Sequence, residues 1–409
     1  MTPPPLDLPV RTSEAAAVAN LVFELAEGRP LTADLRNRIA ARIASLRLES
    51  FTPRMGSLAR DPVHHSTYYL VVDAAQGPPQ LLHMALASAP TSSVFHKPLL
   101  IGRVRRAGGA EAVINAIPFG PSDTEALEKF TTRVDTAFLP RTLGPRGALV
   151  AAPANAEAGL EAAFDAFRVI LKRTGRNLAA VETAPQAYDA ALRAAVRAGW
   201  RDGYSAGVAF RADQANREAI REAARFTRFR IDAAALVVDG DDAVEDRAWV
   251  LGEFVRRFEV GGVAYELTAA DAARMAARLG PALKACERLH EWIREARAAA
   301  KAGRSFDFEP ALPLASAREL LFALHWLKAR GHAAQALDPG PIAGAELETS
   351  LREFAVIGRH YGCLLTLSAG DLNGDAALDA IARAGGGRVN YRAAGDAQEL
   401  SRIAEILAG

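Results

Sequence analysis

The stretch Ser305-Phe306-Asp307-Phe308-Glu309-Pro310 sets two carboxylates two residues apart, interleaved with two aromatic side chains. As a strand it sends Asp307 and Glu309 to one face and Phe306 and Phe308 to the other. In a barrel of parallel strands wrapped by helices, the aromatic face meets the helices and the carboxylates face the lumen. Pro310 is expected to end the ladder, leaving Glu309 at the C-terminal mouth, where such barrels keep their chemistry. A carboxylate there can accept hydroxyl hydrogen bonds, hold a hard cation or take up a proton.

The same period of two picks out polar partners on other candidate strands. It places Ala180 with Glu182, Ala209 with Arg211, Arg230 with Asp232, Ala336 with Asp338, Thr366 with Ser368, and Asn390 with Arg392 on inward faces. The polar members gather at one rim. Two readings follow: a ligand site, or carboxylates and arginines that simply pair with each other across a lumen. Histidine is missing from that rim. His64, His65, His83, His96, His290, His325, His332 and His360 all fall elsewhere, and the adjacent pair His64-His65 is a poor metal clip. No Ser-His-Asp, H-E-x-x-H, Walker or Rossmann pattern is present. Ser368-Ala369-Gly370 and Ala394-Gly395 follow the last two strands, either as phosphate-cradling backbone or as ordinary turns.

Those positions require a particular succession of elements. Beyond Gly147 the candidate strands are Ala148–Ala152, Asn177–Thr183, Ser205–Arg211, Phe229–Val238, Ser305–Glu309, His332–Asp338, Cys363–Gly370 and Arg388–Arg392. Amphipathic helices lie between them, at Ala156–Thr174, Gln186–Ala198, Gln214–Phe226, Ala315–Ala329, Glu346–Tyr361 and Ala376–Ala384. Several are followed by a glycine suited to a C-cap: Gly175, Gly199, Gly331 and Gly362. Eight such units in roughly 260 residues predict a (β/α)8 barrel over 147–409. It carries an insertion around 257–302, with a hairpin at Gly261-Gly262 and a long helix from Thr268. Residues 1–146 read as a smaller α+β domain: a helical run from Thr12 to about Leu48, then short strands that should pair antiparallel. An open doubly wound sheet is the runner-up, but Ala151-Ala152-Pro153-Ala154-Asn155 lacks the glycines of its phosphate loop.

Composition narrows the partners. Basic and acidic residues number 49 and 48, so no global charge favours nucleic acid or an anionic membrane. Cys286 and Cys363 form no metal-type cluster and fit a reducing compartment. No apolar run is long enough to span a bilayer, and the start lacks a signal-peptide pattern, so a cytoplasmic location is expected. A homo-oligomer is compatible with all of this.

The C-terminal third resembles the tagaturonate/fructuronate epimerase family, metal-dependent barrel enzymes acting on hexuronates. The resemblance rests on Phe306-Asp307-Phe308-Glu309, Ala336-Leu337-Asp338-Pro339, Leu351 to Gly362, Leu365 to Gly370 and Gly387 to Gly395, and more weakly on Phe229-Arg230-Ile231-Asp232. It is not extended to the first 145 residues. The family's strand-seven histidine is replaced by Ser368, its last-strand histidine by Asn390 and a lysine by Arg392. Its long loop after strand six is reduced to Gly340-Pro341-Ile342-Ala343-Gly344. Glu309 and Asp232 remain as acidic candidates.

The resemblance implies a sugar-acid epimerase or isomerase with Glu309 as general base or metal ligand and Asp232 assisting. Arg392 would hold a substrate carboxylate by a two-point fork. Asn390, Ser368, Asp371, Glu182 and Arg211 would complete the substrate-binding surface. The alternative is a diverged, non-catalytic barrel that binds a carbohydrate or serves structurally. Oxygen ligands at the rim would suit Mg²⁺ or Mn²⁺ better than zinc. Because catalytic zinc takes nitrogen or sulfur ligands prominently, protein purified without chelator should carry no stoichiometric zinc after dialysis. Elemental analysis checks this, and one zinc per chain would mean that a strand has been misplaced.

Overall fold

A computed structural model describes residues 9–88, 95, 99–106, 109–144, 149–153, 156–175, 177, 179–238, 246–341, 347–368 and 389–393. The side chains at 156–158, 174, 347, 348, 368, 389 and 393 lie outside that description. So do the helix expected at Ala376–Ala384 and the candidate Asp371. The chain divides into two compact units, Met1–Leu139 with Leu192–Gly203, and Pro140–Ala191 with Tyr204–Gly409.

In the first unit the opening helical run is two helices, α1 (Thr12–Ala26) and α2 (Ala33–Ile43). Gly28 turns the chain at φ 71°, and Thr32 then caps α2 by accepting the Leu35 N–H at 3.2 Å. The strands β1 (Phe51–Pro53), β2 (Ala59–Arg60), β3 (Thr67–Ala74), β4 (Gln80–Leu86), β5 (Leu99–Arg105) and β6 (Glu111–Pro118) follow. They pair antiparallel in the order β1-β3-β4-β6-β5, with β2 on β3. Alternation along β3 puts Tyr68, Leu70 and Val72 into one core with Val18, Val22, Phe23 and Ile39 of the two helices. Tyr69, pointing the other way, meets Phe95 and Phe130. A short helix, α3 (Thr124–Lys129), comes after β6.

The second unit is the barrel. Its strands are β7 (Leu149–Ala151), β8 (Ala179–Thr183), β9 (Ser205–Arg211), β10 (Arg228–Asp232), β13 (Asp307–Ala311), β14 (Ala336–Leu337), β15 (Leu364–Ser368) and β16 (Val389–Ala393). All pair parallel, in the order β13-β10-β9-β8-β7-β16-β15-β14. The seam between β13 and β14 is closed by one bridge, Ala311 to Asp338, with Asp338 N–H on Pro310 O and Leu312 N–H on Asp338 O, both at 2.9 Å. Lower down, Gln335 lends its side chain to the short strand, accepting the Phe308 N–H at 2.7 Å. Helices α4 (Ala156–Thr174), α5 (Tyr188–Ala198), α6 (Arg217–Glu222), α9 (Ala317–Ala329) and α10 (Leu347–Tyr361) alternate with the strands. The four expected C-cap glycines all have positive φ, between 66° and 82°.

The insertion after β10 consists of α7 (Arg247–Phe254), the hairpin β11 (Arg257–Val260) and β12 (Val263–Glu266), and α8 (Ala269–Ala299). Gly261 and Gly262, at φ 59° and 83°, make the two-residue turn. Thr268 and Asp271 form a capping box at the start of α8. Tyr265 donates to Glu353 at 2.8 Å and so fastens the hairpin to α10.

Four sequence expectations need correction. Pro310 does not end its ladder: β13 runs on to Ala311, because the proline sits where its carbonyl is used and no N–H is needed. The fourth strand stops at Asp232 rather than Val238, since the Asp232 carboxylate accepts the Ala234 N–H at 3.1 Å and starts a tight turn. The sixth strand is only Ala336–Leu337, because Gly331 and His332 still belong to the end of α9, His332 N–H donating to Leu327 O at 2.7 Å. The helix expected at Gln214–Phe226 is shortened to Arg217–Glu222 by the Asn216 cap and a 3-10 turn at Ala223–Arg225.

Half-buried and buried histidines among the described residues pack against aromatic and polar neighbours. His290 on α8 lies against Phe306 and Phe308, ring centroids 5.0 and 4.9 Å apart, with its Nδ1 3.1 Å from that of His332. One ring must donate and the other accept, so a single proton serves both nitrogens. Burial first, then His332 and Arg294, push His290 from 6.5 down to about 4. In the first unit, burial outweighs Asp61 and pushes His83 down to about 4 as well. The unfolded chain therefore binds more protons than the fold between pH 6.5 and 4. Stability should fall as the pH drops through that window, read as a declining urea midpoint, and His290→Leu should remove part of the decline. A midpoint that stays level from pH 7 to 4.5 would mean that these rings are solvated.

Candidate ligand site in the barrel mouth

In an eight-stranded barrel, strand tilt raises the level by about one residue from each strand to the next, and alternate strands supply the four side chains of a layer. Glu182 pairs with Gly207, and Gly207 with Arg228, so two residues further up β10 stands Arg230. Arg230 pairs with Glu309, and two residues above it Ala311 bridges to Asp338. Leu337 pairs with Leu365 and Thr366 with Asn390, two residues below Arg392. Arg392 pairs with Val150, and Val150 with Ala180, two residues below Glu182, which closes the circuit. Glu182, Arg230, Asp338 and Arg392 thus form one layer of alternating charge.

The hydrogen bonds follow that layer. Arg392 Nη2 donates to Glu182 Oε1 at 2.6 Å, and Arg230 Nη2 donates to Asp338 Oδ2 at 2.8 Å. The other Asp338 oxygen accepts the Gly340 N–H at 2.9 Å, tying the seam strand's end to the same cluster. Burial would lower the Arg230 pKa, but Asp338, Glu182 and Glu309 together raise it, so the guanidinium stays charged. Arg230 Nε and Arg392 Nε are buried and have no partner among the described residues.

Beneath this quartet lies the layer of Val150, Gly207, Glu309 and Thr366. Glu309, 1% exposed, accepts a hydrogen bond from Arg228 through Oε2, while its Oε1 is buried and unpartnered among the described residues. Gly207 makes room for that arginine: a Cβ there would stand 3.2 Å from Val181 O and 3.6 Å from the Arg228 stem. The next layer down holds Arg228, Ala180, Ala336 and Asn390, and Asn390 donates to Thr366 at 3.2 Å. Asp307 is at the bottom of the lumen, its two oxygens accepting the Leu143 and Gly144 N–H groups at 2.9 and 3.0 Å. Burial raises the Asp307 pKa against the pull of those amides and Arg228.

Above the quartet the register places Ala209, Ala311 and Ser368, and one layer further Asp232. On β9 and β13 the residue above the charged quartet is an alanine. Asp232 is half-buried there and also starts the turn after β10. Arg211 stands outermost, 56% exposed, paired with Asp213 at 2.9 Å.

The sequence-derived site is therefore partly regrouped. Glu309 and Arg392 were expected to share the rim, but Arg392 is bound to Glu182 while Glu309 lies a layer lower on Arg228. The cause is the continuation of β13 past Pro310, which sets Glu309 deeper. Glu309 and Asp232 occupy different layers, and among the described residues no three His, Cys, Asp or Glu side chains gather as metal ligands would. Arg230 and Asp338 were placed on inward faces from the sequence without a substrate-binding role, and Arg228 was missed. Their signal was available, since Arg228, Arg230 and Asp232 share one strand face and Asp338 stands at the end of another.

Fold and lumen together define a (β/α)8 barrel protein with ion pairs in its interior. No protein-family model and no curated protein matches the chain. Among solved structures it is similar to fructuronate-tagaturonate epimerase UxaE from Cohnella laeviribosi. The native crystal structure of that enzyme aligns at TM-score 0.64 and 15% identity over 88% of this chain and 75% of that one. Its glycerol complex aligns at TM-score 0.62 and 16% identity over 88% and 74%. The relationship is a distant structural one, and it reaches beyond the C-terminal region on which the sequence resemblance rests. No helix among the described residues is long and apolar enough to cross a membrane.

The Arg228–Glu309 pair, with side chains 5% and 2% exposed, is the most enclosed in the lumen. Arg228→Met should lower unfolding stability by about 3–5 kcal/mol by stranding the carboxylate, and adding Glu309→Leu should recover much of that loss. Chemical denaturation of the single and double variants checks this. A single-variant cost below about 1 kcal/mol would mark the pair as solvated.

Proposed function

We propose that the mouth takes a small carboxylated polyol of the hexuronate class and that the chain epimerises or isomerises it. The observation that carries this reading is the alternating quartet Glu182, Arg230, Asp338 and Arg392 beneath small residues. A guanidinium fork at Arg392 suits a carboxylate, and the Asp338 and Asp232 carboxylates suit hydroxyl donors. Asp232, half-buried and the most exposed of the described candidate carboxylates, would exchange a proton with a ligand above the floor. The likeness in fold to a fructuronate-tagaturonate epimerase supports the choice of ligand class.

A divalent cation, Mg²⁺ or Mn²⁺ before zinc, belongs to the resemblance. The described carboxylates do not offer a set to hold one: Glu309 is engaged by Arg228, and Asp232 lies in another layer. The second reading, a non-catalytic barrel, draws on a specific observation: Glu182, Glu309 and Asp338 each already hold an arginine.

The two readings part on incubation with fructuronate and tagaturonate, with and without added Mg²⁺ or Mn²⁺, followed by proton NMR and thermal shift. Interconversion by the wild type, and its loss in Asp232→Asn with folding intact, is the expected result. Arg392→Met should weaken uronate binding about tenfold or more, the scale of a charge-assisted contact. Binding without turnover would leave the non-catalytic carbohydrate-binding reading. Neither binding nor turnover of any uronate would remove both ligand-based readings.

A further inference from the structure

Arg392 is the guanidinium best placed to meet a ligand carboxylate, yet it already holds one. Its partner Glu182 lies on β8, at the same level in the lumen, with an Nη2–Oε1 distance of 2.6 Å. The glutamate side chain is 8% exposed and the arginine 23%, so solvent reaches the pair from the arginine's side. The Arg392 Nε, in contrast, is buried with no partner among the described residues, so one edge of the fork is unused. We infer that Glu182 is a built-in stand-in for the ligand's carboxylate, occupying Arg392 in the free protein and displaced from it when an anionic ligand enters.

This inference rests on the ligand class proposed above and concerns how that site is controlled. Displacement requires somewhere for the released carboxylate to go, since a buried charge without a counter-charge is costly. Arg230 provides it. That guanidinium stands in the same layer and already feels Glu182 as well as Asp338. The exchange swaps one carboxylate for another on Arg392 and turns Glu182 toward Arg230, which then faces both Glu182 and Asp338, so the bound state carries one net negative charge that the ligand's other contacts must offset. It also sets a threshold: a ligand must bring both a carboxylate for Arg392 and further contacts that outweigh the tethered competitor. A plain small acid brings only the first and should be excluded.

The test uses full-length protein with Glu182→Gln and Glu182→Ala, titrated with fructuronate and separately with acetate, with melting temperature as a check of folding. Glu182→Gln removes the competing charge at nearly constant shape. It should bind fructuronate about tenfold more tightly than the wild type, the worth of one charge-assisted hydrogen bond. Glu182→Ala leaves a carboxylate-sized gap on Arg392, so acetate should raise its melting temperature, or restore its folding, while leaving the wild type unmoved. Weaker fructuronate binding by Glu182→Gln would overturn the inference and make Glu182 a direct ligand contact, and equal binding would overturn it and leave the pair structural, with the ligand class intact in both cases. A Glu182→Ala chain indifferent to acetate also counts against it. If acetate rescues Glu182→Ala but no uronate binds any variant, the stand-in role holds and the ligand class fails.

Discussion

A closed barrel gives charged side chains in its lumen very little water, so each guanidinium placed there must be met by a carboxylate at hydrogen-bonding range. That requirement governs the interior of this protein. Arg228, Arg230 and Arg392 each have a carboxylate partner: Glu309, Asp338 and Glu182. The fourth buried carboxylate, Asp307, is satisfied by two backbone N–H groups instead of a cation. Where such barrels usually stack branched apolar side chains, this one stacks ion pairs. Taking one partner away is far more costly than replacing both with apolar groups.

The same pairing supports the weakest seam. β13 and β14 share little ladder, because β14 is two residues long. Asp338 compensates by bonding in several directions at once: backbone to Pro310 and Leu312, side chain to Gly340 and to Arg230 two strands away. Gln335 repeats the device lower down by accepting the Phe308 N–H. The charge layer and the closure of the sheet are thus one structural problem with one solution.

A floor of ion pairs also shapes what the mouth can bind. On the proposed reading a polyhydroxylated anion would trade contacts with groups already arranged in alternating sign, where a neutral apolar ligand would gain little. The upper quartet is more open than the pair beneath it, with Arg392 at 23% exposure against 5% for Arg228. The ion pairs of the lumen are therefore graded by depth, with Arg228 two layers below Arg230 on the same strand. Position along the strand, more than residue type, decides how enclosed an arginine is.

Much of this was legible in the chain itself. The βα alternation after Gly147, the C-cap glycines, the Gly261-Gly262 hairpin and the division of Phe306 and Phe308 from Asp307 and Glu309 all follow from local rules of period and turn chemistry. Parity named the inward faces correctly because side chains alternate along any strand, whatever its neighbours. Parity cannot give height. Whether Glu309 reached the mouth depended on whether β13 ended at Pro310, and that depended on β14 needing the proline's carbonyl and not its N–H. Nor could local rules choose partners. Arg392 meets Glu182 because the tilt of eight closed strands brings residues 210 apart in sequence to one level. Sequence fixes which side chains enter the lumen; closure of the sheet sets the layer of each, and so which charges meet.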